Sequence, residues 1–378
     1  MLDFLNKFEL SRGGGNANVR PMEGLRGFAV FLVFLVHYST SATPWLGASS
    51  MLGAARVIHS IGNAGVDLFF VLSGYLIYGS LLDRRQSYAG FLGRRLKRIY
   101  PAFTVVFLLY LGLSLAVPAQ SRIPVAPGPA AAYLLENFLL LPGMVAIEPM
   151  ITVAWSLSYE MFYYIVLPLI IAGLGLRQRS APWRVAFFGC LLMAGLLAHA
   201  FFGGPVRLGM FVAGIMLYEA CKAGHPRRPS TLATVAVLVA SLILVAVPIA
   251  GGQALKMVAL AASFFLLCYR CFEGGNALAQ LFSWSPLRWF GNMSYSYYLL
   301  HGLAIQAVFI LIKKMGLEAV QPALFYFGMM PLVFAATLVP TVILFLAVER
   351  PFSLGRARPA LSSSAVLGGA PRQPPMAP

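Results

Sequence analysis

Residues 20–40 read RPMEGLRGFAVFLVFLVHYST, an apolar run that begins on a cation and carries two groups hydrocarbon rejects, Arg26 and His37. A run of this length matches the roughly 20 helical residues needed to cross a bilayer core of about 30 Å. Comparable runs recur at 61–81, 99–118, 154–173, 184–201, 205–221, 231–249, 254–272, 293–313 and 324–347. Composition agrees: 59% of the 378 residues are hydrophobic and 11% charged, against roughly 45–50% and about 25% in soluble proteins. Mean hydropathy is +0.79. The expected fold is therefore an all-α integral membrane protein of about ten transmembrane helices. An eleventh apolar piece, 130–147, is interrupted by Pro142 and Gly143 and carries Glu136, so it is expected to be re-entrant or interfacial.

The net charge of +16 would suggest a nucleic-acid partner in a soluble protein, but no interleaved aromatic and basic signature for one is present. In a membrane protein the question is which loops carry the cations. With the N-terminus inside, 21 of the 28 Lys and Arg fall on the cytoplasmic side and six on the other, with Arg26 inside the first span. That asymmetry puts both termini in the cytoplasm. The first 20 residues lack the short apolar core and small-residue cleavage site of a removable signal, so the first span is expected to be retained. The expected organisation is a cytoplasmic segment over 1–20, a membrane domain over 21–350, and a disordered tail over 351–378 rich in Pro, Ser, Gly and Ala. RGGGNAN, 12–18, reads as flexible too. Cys190, Cys221, Cys268 and Cys271 all lie in or beside apolar segments, which argues against a disulfide framework; Cys268 and Cys271 form a lone CxxC that reads as packing, and no metal is expected.

Five stretches carry polar chemistry into these spans. In the first, eleven positions rotate a helix about 1100°, three turns plus about 20°, so Arg26 and His37 share a stripe about 16 Å long. Taken singly, Arg26 could snorkel to headgroups and His37 could be a satisfied core imidazole. In GNAGVDLFFVLSGYLIYG, 62–79, Asp67 lies about two turns in, at a depth expected to match His37, so a carboxylate orienting the imidazole is the economical arrangement. The Ser73-Gly74 step admits close helix approach or local unwinding.

FLGRRLKRIYPAF, 91–103, crowds Arg94, Arg95, Lys97 and Arg98 on the cytoplasmic side, where guanidinium forks suit phosphates. Topology signalling is the competing explanation. WSLSYEMFYYIVLPL, 155–169, sets Glu160 among Trp155, Tyr159, Tyr163 and Tyr164, either an interfacial belt or a sugar-binding face. WFGNMSYSYYLLHG, 289–302, aligns Ser294, Tyr297 and His301 along one helix. A neutral His beside a carboxylate can act as general base toward a hydroxyl.

Taken in order, Arg26-x10-His37, GVDLFFVLSGYLI at 65–77, Arg95-x-x-Arg98 followed by IYP, WSLSYEMFYY at 155–164 and SYSYYLLH at 294–301 resemble acyltransferase family 3, the membrane O-acyltransferases acting on carbohydrates. The resemblance covers nearly all of residues 20–350. It implies an enzyme of the cell membrane, the inner membrane in a bacterium, with cytoplasmic acyl-CoA, usually acetyl-CoA, as donor and a carbohydrate hydroxyl as acceptor. It also implies a catalytic role for His37 and donor-binding roles for Arg26, Arg95 and Arg98. Asp67 and Glu160 join His37 as catalytic candidates on the depth expectation, and Trp155, Tyr159, Tyr297 and His301 are the candidate substrate-binding residues. The expected partners are acyl-CoA, carbohydrate and membrane lipid, and no nucleic acid.

Nothing after residue 348 is long or apolar enough for the extracytoplasmic hydrolase-like domain fused to some members, so the membrane domain is expected to complete the transfer or hand the acyl group on. The rival class is a transporter or flippase using His, Asp and Glu as a proton relay. It predicts inverted repeats, which the sequence does not display. A glycosyltransferase would carry acids on the first outer loop, and 43–60 has none.

Overall fold

The computed structural model describes residues 5–10, 19–224, 229–316 and 321–354. The segment 12–18 and the tail from residue 355 lie outside the described residues. Among the described residues the chain is helical, with one isolated bridge between Pro142 and Val145.

The first helix, α1 (Val19–Ala42), is followed by α2 (Ser50–Gly62), α3 (Ala64–Asp83), α4 (Tyr88–Ala116) and the short α5 (Pro127–Phe138). Then come α6 (Trp155–Gly173), α7 (Ala181–Phe202), α8 (Gly209–Ala223), α9 (Thr231–Ala246) and α10 (Gln253–Phe272). Two short helices, α11 (Ala277–Phe282) and α12 (Ser285–Asn292), lead into α13 (Ser294–Lys314) and α14 (Pro322–Leu344), which ends in a π-helical stretch, Phe345–Ser353. Among the described residues eight helical segments, against the ten expected, are long and apolar enough to cross a membrane. The expected spans at 205–221 and 231–249 correspond to α8 and α9, which hold only 15 and 16 residues.

Two other expectations change. The second span is longer than 61–81: helix begins at Ser50, breaks at Asn63 and continues to Asp83, a 34-residue segment. The third begins at Tyr88 rather than 99, where the Ser87 hydroxyl accepts the Gly90 N–H at 3.2 Å, so the basic cluster at 94–98 belongs to the same continuous helix, α4. The interrupted piece at 130–147 is α5 plus an irregular return through Leu140 and Gly143, both at positive φ. Its 12 residues reach about 18 Å, too short to span. Asn137 pins the return, giving a hydrogen bond to the Glu148 carbonyl (3.3 Å) and taking one from the Met150 N–H (2.7 Å).

α1 is the axis of the bundle. It packs against α2, α3, α10, α11, α12, α13 and α14, burying Leu25, Ala29, Val30, Val33, Phe34 and Tyr38. At the crossing with α12 the backbones nearly touch: a Cβ on Gly291 would lie 1.7 Å from the Glu23 carbonyl oxygen. α3 and α8 cross as tightly through Gly74 and Gly214, whose added Cβ would lie 2.1 Å from the Val71 oxygen. Ser73-Gly74 is thus a close approach within an unbroken helix. Around the outside, α7 buries only Arg184 and Phe188 and exposes Leu191, Met193, Leu197, Phe201 and Phe202. An apolar face of that extent is normally solvated by lipid.

Candidate active site

The 3.6-residue repeat of α1 carries Arg26 and His37 on one stripe, and the structure gives the two ends different surroundings. Arg26 does not run out along the surface: its Nε and Nη2 donate to the Ser294 hydroxyl at 3.3 and 3.1 Å. It faces a cleft that also receives Ser73, Arg95, Arg98, Glu160 and Tyr164. The walls therefore come from α1, α3, α4, α6 and α13.

Each charge in this cleft has a defined setting. Glu160 Oε1 accepts from the Tyr164 hydroxyl at 2.5 Å and from Ser73 Oγ at 3.3 Å. Arg98 Nη1 lies 2.8 Å from Glu349 Oε1, and Glu349 is fully buried. The other Glu349 oxygen accepts the backbone N–H and hydroxyl of Ser296 at 3.0 and 2.5 Å. The Arg95 guanidinium rests over the rings of Phe91 and Tyr164, 5.2 and 5.4 Å from their centroids. Of the three arginines Arg95 alone has no carboxylate or hydroxyl partner among the described residues, so its donors stay available for an anion. Three guanidiniums face two carboxylates, leaving a net positive cleft.

The His37 end is a different environment. His37 is half-buried, and its ring lies 4.8 Å from that of His301, edge toward face at 69°. His301 is fully buried; its Nδ1 is 3.0 Å from the Tyr297 carbonyl oxygen and 2.9 Å from that of Tyr298. Carbonyl oxygens only accept, so Nδ1 carries the proton and Nε2 the lone pair. That Nε2 is buried without a hydrogen-bond partner among the described residues. Tyr297 stacks on His301 at 5.4 Å and hydrogen-bonds Thr337 Oγ1 at 2.8 Å.

Neither expected carboxylate orients His37. Asp67 is fully buried and faces Arg207 Nε at 3.5 Å, with that guanidinium 5.5 Å over Trp155. The reason is register: a Cβ on Gly62 would meet the Leu32 oxygen at 2.6 Å, and one on Gly65 the Ala29 oxygen at 2.3 Å. α3 thus runs antiparallel to α1 and brings Asp67 level with Ala29, about two turns from His37. Glu160, expected near His37 in the outer half, instead joins the arginines. Of the candidate substrate-binding residues, Tyr159 is buried between Phe70 (5.8 Å) and Trp155 (5.6 Å), and Tyr297 and His301 are interior. Only Trp155 keeps partial exposure, so these four do not form an open sugar-binding face.

Two participants escaped the sequence reading. Glu349 stands where the last apolar run ends, beside Arg350, and reads there as a chain leaving the membrane. Arg207 reads as an outer-loop cation. The signal available for Glu349 was the cost of a lone carboxylate beside a span. Among the described residues no group of three or more His, Cys, Asp or Glu is placed to hold a metal ion. Cys268 and Cys271 are buried free thiols.

The family model described as an acyltransferase domain matches residues 21–348. The chain is 28% identical over 246 residues to the acyltransferase MdmB of Streptomyces mycarofaciens, covering 58% of this chain and 62% of that relative. It is 28% identical over 221 residues to the O-acetyltransferase OatA of Staphylococcus aureus, covering 52% of this chain and 34% of OatA. It is also 24% identical over 319 residues to the putative peptidoglycan O-acetyltransferase YrhL of Bacillus subtilis, covering 74% of this chain and 47% of YrhL. The chain thus matches less than two thirds of the length of each of these relatives. No solved structure matches it.

Proposed function

The chain belongs to acyltransferase family 3, and on that premise we propose that it is a membrane O-acyltransferase moving an acyl group, acetyl in the first instance, from cytoplasmic acyl-CoA to a carbohydrate hydroxyl. It rests on one observation: three arginines converge on a single cleft, and the helix that carries one of them runs on to His37. In this reading Arg95 takes the donor's phosphates, helped by Arg98 and Arg26, whose partners Glu349 and Ser294 hold them in place. The acyl-bearing arm then follows the α1 stripe toward His37.

There the His37 lone pair takes the proton of the acceptor hydroxyl as its oxygen bonds to the thioester carbon. The C–S bond breaks, the thiolate leaves, and the proton on His37 passes to it. Asp67 and Glu160 then serve as charge partners within the membrane domain, not as orienters of His37. The acceptor is a cell-envelope or lipid-linked sugar, a class consistent with the peptidoglycan named for YrhL and reached from the inner membrane of a bacterium with both termini cytoplasmic. Purified protein in proteoliposomes supplied with acetyl-CoA and peptidoglycan or lipid-linked saccharide tests this. Wild type should release free CoA only when acceptor is present, His37→Ala should release none, and Arg95→Ala should need about tenfold more acetyl-CoA, the value of roughly one charge-assisted hydrogen bond. Full transfer by His37→Ala, or an unchanged acetyl-CoA requirement in Arg95→Ala, at equal protein level would refute the assignment.

A further inference from the structure

We infer that His301 is the positioning residue for His37: its Nε2 lone pair is the acceptor for the His37 ring N–H, so an imidazole and not a carboxylate sets the tautomer of the base. The inference rests on the reading of His37 as the general base. Its physical content comes from three observations on α1 and α13. The rings are in contact at 4.8 Å, inclined by 69°. The tautomer of His301 is dictated by its own helix, since Nδ1 lies between two carbonyl oxygens at 3.0 and 2.9 Å. The remaining nitrogen, Nε2, is fully buried and unpartnered among the described residues. An unpaired buried acceptor is costly, so a donor brought to it is strongly favoured. Among the side chains in ring contact with His301, Tyr297 shares its hydroxyl with the Thr337 hydroxyl, and Tyr298 donates to the Val153 carbonyl and is paired with the Ser156 hydroxyl; His37 has no hydrogen bond among the described residues.

A small rotation of the half-buried His37 ring turns the edge contact into an N–H···Nε2 hydrogen bond. One His37 nitrogen is then committed as donor and the other is left with the lone pair that takes the hydroxyl proton. When His37 becomes positively charged, the same hydrogen bond becomes charge-assisted and strengthens where the transition state needs it. His301 keeps its own Nδ1 proton on the Tyr297 and Tyr298 carbonyls throughout, so no proton is lost down the chain. A neutral partner suits this depth: a carboxylate there would bring a second full charge into the membrane interior.

Two substitutions separate the parts of the side chain. His301→Asn keeps an N–H for the backbone carbonyls but has nothing at the Nε2 position, while His301→Gln reaches that position with an amide oxygen. In proteoliposomes His301→Asn should lower kcat about 10- to 100-fold with KM for acetyl-CoA unchanged, a part of what a general base contributes, and His301→Gln should recover most of it. Equal losses in both variants, or no loss in either, would overturn the inference. Histidine-labelled ¹⁵N NMR of the full chain in lipid nanodiscs, with His37 assigned by comparison with His37→Gln, supplies a readout independent of turnover. Wild type should display one neutral tautomer at His37 and His301→Asn a mixture; an unchanged tautomer would overturn the inference. If wild type transfers no acetyl group at all, the proposed function fails while the tautomer measurement still decides the pairing.

Discussion

The two ends of α1 solve opposite problems. At the Arg26 end three cations meet two carboxylates in an open cleft, and hydroxyls from Ser73, Ser294, Ser296 and Tyr164 complete the network. At the His37 end no charged group is in ring or hydrogen-bond contact with the imidazole among the described residues, and the notable polar atom is a lone pair with nothing attached. A cleft with surplus positive charge is prepared to hold an anion. A pair of imidazoles, one half-buried and one fully buried, is suited to hold and move a proton. One helix links the two, so in the proposed function donor binding and proton transfer are separated along a single element.

The largest expected effect removes the chemistry from one end only. His37→Ala should cut the transfer rate by about 100-fold or more, the range for loss of a general base, while leaving donor affinity within twofold. Equilibrium binding of a nonhydrolysable acetyl-CoA analogue beside single-turnover rates would test that separation, and a matching loss of affinity would mean the two ends are one site.

Next in size is the support beneath the cleft. Glu349→Ala leaves the partly exposed Arg98 guanidinium without its carboxylate, a loss of about 1–3 kcal/mol. Unfolding of the purified variant in detergent should begin well below wild type, and Arg98→Met together with Glu349→Leu should regain most of the lost stability without regaining activity. A stable single variant would mean the pair is not carrying the packing between α4 and the π-helical end of α14.

Smaller still is the direct anion contact. Arg95→Gln should raise KM for acetyl-CoA about tenfold, the value of roughly one charge-assisted hydrogen bond, with kcat little changed. The same variant should treat S-acetyl-pantetheine, which lacks the donor's diphosphate, as wild type does. An equal loss on both donors would remove Arg95 from phosphate recognition. The smallest effect is expected at the outlying Asp67–Arg207 pair: Trp155→Leu, which takes the ring from beneath Arg207, should lower stability by about 0.5–1 kcal/mol and leave KM for the donor unmoved.

Much of the cleft was legible in the linear chain. Arg95 and Arg98 are three positions apart on one helix, and Arg26 and His37 eleven apart, so periodicity alone aligns each pair. Asp67 illustrates the limit. The end of an apolar run sets the depth expected for it, but the helix starts at Ser50, breaks at Asn63 and is set against α1 by glycines at 62 and 65. Those crossings move a side chain by turns, and no local pattern encodes them. Glu349 was hidden for a related reason, since its partners Arg98 and Ser296 are far off in the chain and meet it only when α4 and α13 close on the end of α14.

By itself the sequence determined the membrane class, the apolar segments and the two polar stripes, because lipid thickness and helical repeat act on neighbours along the chain. The tertiary structure alone decided which polar group faces which: Arg98 with Glu349, Asp67 with Arg207, Glu160 with Tyr164 and Ser73, and His37 with His301. The physical reason is that a buried charge or lone pair is satisfied within about 3 Å, a distance set by helix crossings and register between segments far apart in the chain.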